Sequence, residues 1–171
     1  MNLSFIKLME TDRIINQYFS SHNNRWLRSA LGALSYLGTG SVWIILYALF
    51  LIFLQDHFTQ LLLTLILAEM IGLFTIIMLR YMTKRKRPMI HYKYYFLTPW
   101  NRYSFPSHHT LRAFIIAVIV GIDYPEVFPL LLIMAATVSF SRIYLSKHYL
   151  SDVLAGAFLG IMLAMASRSF V

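Results

Sequence analysis

Cysteine is absent from the 171 residues, so disulfides play no part in this fold. Charge is scarce too: 13% of residues are Asp, Glu, Lys or Arg, about half the ~25% usual for a soluble domain. Acidic residues are rarest of all, 7 against 15 Lys and Arg. There is no polar stretch long enough to be a linker, no low-complexity tract and no internal repeat, which leaves one compact unit. Residues 1–25 lack the apolar core and small-residue cleavage site of a signal peptide, so membrane segments are expected to direct insertion themselves. What is abundant is apolar surface: 58% hydrophobic residues, 16% aromatic, mean hydropathy +0.62. The expected class is an all-α integral membrane protein.

The apolar runs place its elements. Residues 3–20 carry Phe5, Leu8, Met9, Ile15, Tyr18 and Phe19 roughly on one face, with Glu10, Arg13 and Gln17 elsewhere. That pattern predicts an interfacial helix, in a segment 1–25 set apart from a membrane-embedded part 26–171. Residues 26–37 are too short to span, since a crossing takes ~20 residues. They insert partly, or continue through a break at Gly38–Ser41 into the run 42–54. Helices are predicted over about 58–80, 107–121, 127–145 and 149–168, making five to six membrane helices in all.

Between the first two of those four lies a long connection, 81–106, in which Pro88, Pro99 and Pro106 forbid a continuous helix. A loop of that length in a compact bundle is usually functional. Eight of the fifteen basic residues fall from Arg80 to Arg112, and no acidic residue occurs from position 70 until Asp123. Such density binds polyanions. Lys84–Lys86 suits anionic lipid head groups, whereas nucleic acid is excluded because the loop is caught between apolar helices. Tyr92, Tyr94, Tyr95, Phe96 and Trp100 form an aromatic belt or line the path of a lipid chain. Glu69, deep in an apolar run, implies a buried polar contact, and Arg112 is expected to snorkel to the interface.

Helix alternation brings Arg80, Arg87, Ser107, His109, Arg142, His148 and Asp152 to one membrane face. His148 and Asp152 are four apart, a spacing that sets them on one helix face. A carboxylate there would fix the imidazole tautomer, leaving the other ring nitrogen to attack phosphorus. Arg87 and Arg142 can clamp phosphate oxygens. Ser107 is suited to cap the helix that follows it, whose N-terminus favours anions, and His109 is placed to protonate a leaving oxygen. Together these residues imply in-line phosphoryl displacement through a phosphohistidine. No metal or other cofactor is expected, because the arginines would repel a cation.

The run Ser141-Arg142, five residues, His148, three residues, Asp152 resembles the third motif of the type 2 phosphatidic acid phosphatase family, membrane lipid phosphatases related to vanadium haloperoxidases. Pro106-Ser107-His108-His109 resembles the second, with His108 in place of glycine, and Arg80 to Arg87-Pro88 the first, with Arg80 in place of lysine. The resemblance covers about residues 36–165. It implies His148 as nucleophile, Asp152 as its partner, His109 as acid, and Arg80, Arg87, Ser107 and Arg142 as phosphate ligands. Lys84 and His108 are further candidates for substrate contact.

The small size and basic rim suit a polyanionic head group, and the chain is similar to bacterial lipid A 1-phosphatases. Undecaprenyl diphosphate, phosphatidylglycerophosphate and phosphoryl transfer to a second lipid are the rival readings, with a non-catalytic binder of anionic lipid as a fourth. Positive-charge counting puts the basic face in the cytoplasm. The resemblance implies instead a bacterial inner-membrane protein with its site facing the periplasm.

Overall fold

A computed structural model describes residues 3–22, 24–53, 59–88 and 99–168. Lys93 and the aromatic cluster Tyr92–Phe96 lie outside them. The elements are α1 (Leu3–Ser21), α2 (Arg25–Ser35), α3 (Gly40–Phe53), α4 (Thr59–Thr83), α5 (His108–Asp123), α6 (Phe128–Tyr144) and α7 (Leu150–Ser167), with short 3-10 turns at Tyr36–Gly38 and Pro99–Arg102. No strand occurs among the described residues; an isolated antiparallel bridge joins Lys86 to Tyr103.

Two helices, α4 and α7, are long and apolar enough to cross a membrane. Arg25–Ser35 and Gly40–Leu49 qualify together as one span bent by 42°. The break falls at the Gly38–Thr39–Gly40 step, where Thr39 is extended and cannot propagate either helix. The chain is a multi-pass membrane protein. Its α7 turns Leu154, Phe158, Met162 and Met165 outward, and α6 does the same with Leu130 and Ile133. Lipid tails, not water, are the solvent those faces fit.

Helix α5 is the hub, packed on α4, α6 and, most extensively, α7. Ile76, Leu111, Ile115, Ile119 and Ala164 form the core between them. The α5–α7 contact is close because Gly156 and Gly160, one turn apart on α7, present no side chain to α5. A Cβ on Gly156 would stand 2.5 Å from the Ser107 carbonyl oxygen, and one on Gly160 would stand 2.5 Å from that of Leu111. Small residues at this spacing let helix backbones meet in a bilayer, where van der Waals packing replaces the hydrophobic effect.

Two polar contacts refine the sequence reading. Glu69 does make a buried contact: it pairs with Arg112 Nε at 3.0 Å and accepts from the Tyr47 hydroxyl at 2.9 Å. Arg112 therefore does not snorkel. It is buried and also donates to the Gly38 carbonyl at 3.4 Å, tying α5 to the break before α3. Helix α1 forms as expected, but it docks on the bundle. Phe19 packs on Phe140 and Tyr144 of α6, and the buried Asp12 reaches α7 through the main-chain amide of Ser151.

Candidate active site

Helix ends assemble the site. Arg80 closes α4, His108 and His109 open α5, and Arg142 lies in the last turn of α6. Lys147 and His148 occupy the turn into α7. That turn is sharp: Ser146 takes a left-handed φ of 52°, and the amides of both Lys147 and His148 donate back to the Arg142 carbonyl, at 3.0 and 3.1 Å. The five-residue gap between Arg142 and His148 is thus spent folding the chain over the helix end, which brings the His148 amide back to the Arg142 carbonyl.

These residues line a cavity of about 340 Å³, with Ser35, Tyr36 and Thr39 from the α2–α3 region as one wall and Arg87 with Asn101 as another. Four cationic side chains, Arg80, Arg87, Arg142 and Lys147, face it, and no carboxylate does among the described residues. Neutral acceptors orient the arginines. Arg87 donates from Nε to the Asn101 carbonyl (2.9 Å) and from Nη1 to the Lys147 carbonyl (2.9 Å). Arg80 donates to Asn101 Oδ1 (3.2 Å) and to the Pro106 carbonyl (3.3 Å), and Arg142 to Ser35 Oγ (2.5 Å). The cavity is therefore strongly electropositive and suits an anion.

His148 is buried, with Nδ1 2.7 Å from the Ser104 carbonyl and Nε2 3.1 Å from Arg87 Nη1. A carbonyl only accepts, so Nδ1 carries the proton and Nε2 holds the lone pair on the cavity side. Burial, with Arg87, Arg142, Arg80 and His109 nearby, holds this imidazole well below the usual histidine value, so it is neutral. Burial also lowers Lys147, to about 8, helped by Arg142, Arg87 and Arg28.

Asp152 departs from its expected place. His148 precedes α7 instead of sharing a helix face with Asp152, and Oδ2 stands 3.7 Å from His148 Nδ1. That oxygen accepts from the Tyr149 amide at 2.9 Å, a carboxylate in the first turn reaching back to the N-cap. Oδ1 accepts from Arg85 at 2.7 Å. The main chain of Ser104, rather than Asp152, is the hydrogen-bond partner that sets the tautomer.

The other expected residues divide. Arg80, Arg87, His108, His109, Arg142 and His148 line the cavity. Ser107 does cap α5, but its hydroxyl makes no capping bond; it accepts from Thr110 at 3.0 Å, and its amide donates to the Asp152 carbonyl at 3.0 Å. Fully buried in these contacts, Ser107 is not on the cavity wall. Lys84 is exposed and also off the wall, just past the end of α4, where it takes a left-handed φ of 47°. Lys147, Asn101 and Ser35 take part unannounced by the sequence reading. Of these only Lys147 carried a signal, its position next to His148. Among the described residues, no three His, Cys, Asp or Glu side chains converge as a metal site would require.

Residues 58–171 match the PAP2 superfamily, and every residue of the cavity from Arg80 to His148 falls within that match. The chain belongs to the PAP2 superfamily. Its fold is similar to that of LpxE from Aquifex aeolicus, with 28% identity, TM-score 0.74 and 94% of each chain covered. It is also similar to the first transmembrane PAP2-type phosphatidylglycerolphosphate phosphatase of Bacillus subtilis: TM-score 0.76, 22% identity, 96% of this chain and 86% of that one. The bacitracin transport permease protein BcrC of Bacillus licheniformis is 40% identical over 62 residues, which span 36% of this chain and 30% of that protein.

Proposed function

We propose that this PAP2 protein hydrolyses a lipid phosphate monoester or diphosphate through a phosphohistidine at His148. The observation that carries the reading is the neutral His148, its Nε2 lone pair beside Arg87 in a cavity walled by cations. In the first step Nε2 attacks phosphorus in line, the P–O bond to the lipid breaks, and the departing oxygen takes its proton from the imidazolium form of His109, which burial beside Arg142 makes the minor form at neutral pH. Arg80, Arg87 and Arg142 hold the three non-bridging oxygens as negative charge shifts among them. In the second step water attacks the phosphohistidine, its proton passes to His109, the P–N bond breaks, and inorganic phosphate leaves. Asp152, a full negative charge within 4 Å of Nδ1, stabilises the positive charge that phosphorylation places on the ring.

The favoured substrate is a lipid A-type 1-phosphate, supported by the sequence resemblance and by the LpxE match along nearly the whole chain. Phosphate release from pure lipid A, phosphatidylglycerophosphate and undecaprenyl diphosphate, with and without chelator, tests it. Preference for either of the last two overturns the substrate, and loss on chelation overturns the metal-free mechanism. The site is assigned to the periplasmic side of a bacterial inner membrane. Cysteine placed at Lys84 should react with an impermeant thiol reagent in spheroplasts and cysteine at Asp123 should not; the converse reverses the orientation.

A further inference from the structure

Arg85 stands between two cavity arginines in sequence, and pattern reading gives it to lipid head groups. The fold turns it inward. Its Nη1 donates to Asp152 Oδ1 at 2.7 Å and to Ser151 Oγ at 2.6 Å, and its Nη2 donates to Asp12 Oδ2 at 2.6 Å. The guanidinium also lies over the Tyr149 ring, 4.3 Å from its centroid. Asp12 belongs to α1, is 2% exposed, and further accepts from the amide (3.0 Å) and hydroxyl of Ser151. A carboxylate so buried is costly unless paired and hydrogen-bonded, and this one is both.

We propose that Arg85, gripped by Asp12, is a positioning residue that holds Asp152 toward His148, making α1 part of the active site. The inference rests on the phosphohistidine reading above. Arg85 alone would neutralise Asp152 and remove the negative charge that a phosphorylated His148 needs. Asp12 takes up the second half of the guanidinium fork, so the three groups sum to one negative charge. Geometry follows the same plan: with Oδ1 held by Arg85 and Oδ2 by the Tyr149 amide, the carboxylate of Asp152 cannot rotate away from the imidazole.

The test is steady-state phosphate release by the purified full chain in detergent, with thermal melting of each variant. Asp12→Asn is expected to lower kcat about 10-fold, and Arg85→Met between about 10- and 100-fold, the range for residues that orient a reacting group, with KM within about 2-fold in both. Asp12→Glu should retain most activity. The double variant Asp12→Asn/Arg85→Met should be about as active as Arg85→Met alone, because Asp12 acts through the guanidinium that both variants lack. Unchanged kcat in Asp12→Asn, or a double variant whose loss is the product of the two single losses, overturns the proposal. So does a kcat loss that appears only where melting shows unfolding. His148→Ala separates the two ideas: if it still releases phosphate, the phosphohistidine reading itself fails.

Discussion

The imidazole of His148 donates from Nδ1 to the main-chain oxygen of Ser104 at 2.7 Å, while the carboxylate of Asp152 stands 3.7 Å from the same nitrogen. Ring orientation and ring electrostatics are therefore supplied by different residues. Asp152→Asn should keep the tautomer and lose only charge stabilisation, lowering kcat about 10- to 100-fold. His148→Ala should abolish release and any acid-labile phosphoenzyme. Equal losses in the two variants would show that Asp152, not Ser104, governs the ring.

Lys147 predicts a pH dependence of binding. With its ammonium lowered to about 8, it is charged below that pH and neutral above it. The substrate phosphate is already a dianion above ~6. Affinity should therefore fall, and KM rise, as pH increases through 8. Lys147→Met should raise KM at pH 7 and flatten this alkaline limb. His148, held well below the usual histidine value, adds no limb near 6.5.

The contact between α5 and α7 predicts a packing effect. Gly156→Ala places a methyl 2.5 Å from the Ser107 carbonyl, where only backbone can yield. Overpacking of this kind costs ~1–3 kcal/mol. It also pushes the first turn of α5 away from α7, carrying His109 with it. Melting in detergent should drop and kcat should fall with it; unchanged melting and kcat would contradict this account of the contact.

Ser146 predicts the opposite sign. Its left-handed φ is unfavourable for a residue with a Cβ, and its buried hydroxyl has no hydrogen-bond partner among the described residues. Ser146→Gly removes both costs and should stabilise the protein by about 1 kcal/mol with the turn geometry, and hence activity, retained. A lower melting temperature would contradict this account of the turn.

Composition and apolar periodicity determined the membrane class and the seven helices of the described residues, α4 to α7 within three residues at either end. They also determined that Arg80, His109, Arg142 and His148 gather at one end, because helices that alternate in direction bring alternate termini together. These properties are local: side-chain type along a run, and the order of runs. Only tertiary structure decided which groups face each other. Ser104 acts through a carbonyl that every residue possesses, so nothing in its identity announces it. Ser107 and Lys84 have suitable side chains but lie off the cavity wall, one held by Thr110 and Asp152, the other exposed just past the end of α4. Arg85 looks in sequence like part of a head-group anchor, nothing in the pattern singles out Asp12, and the two are 73 residues apart. They become one ion pair because α1 packs against α6 and α7, and the low dielectric between those helices leaves each charge no better partner.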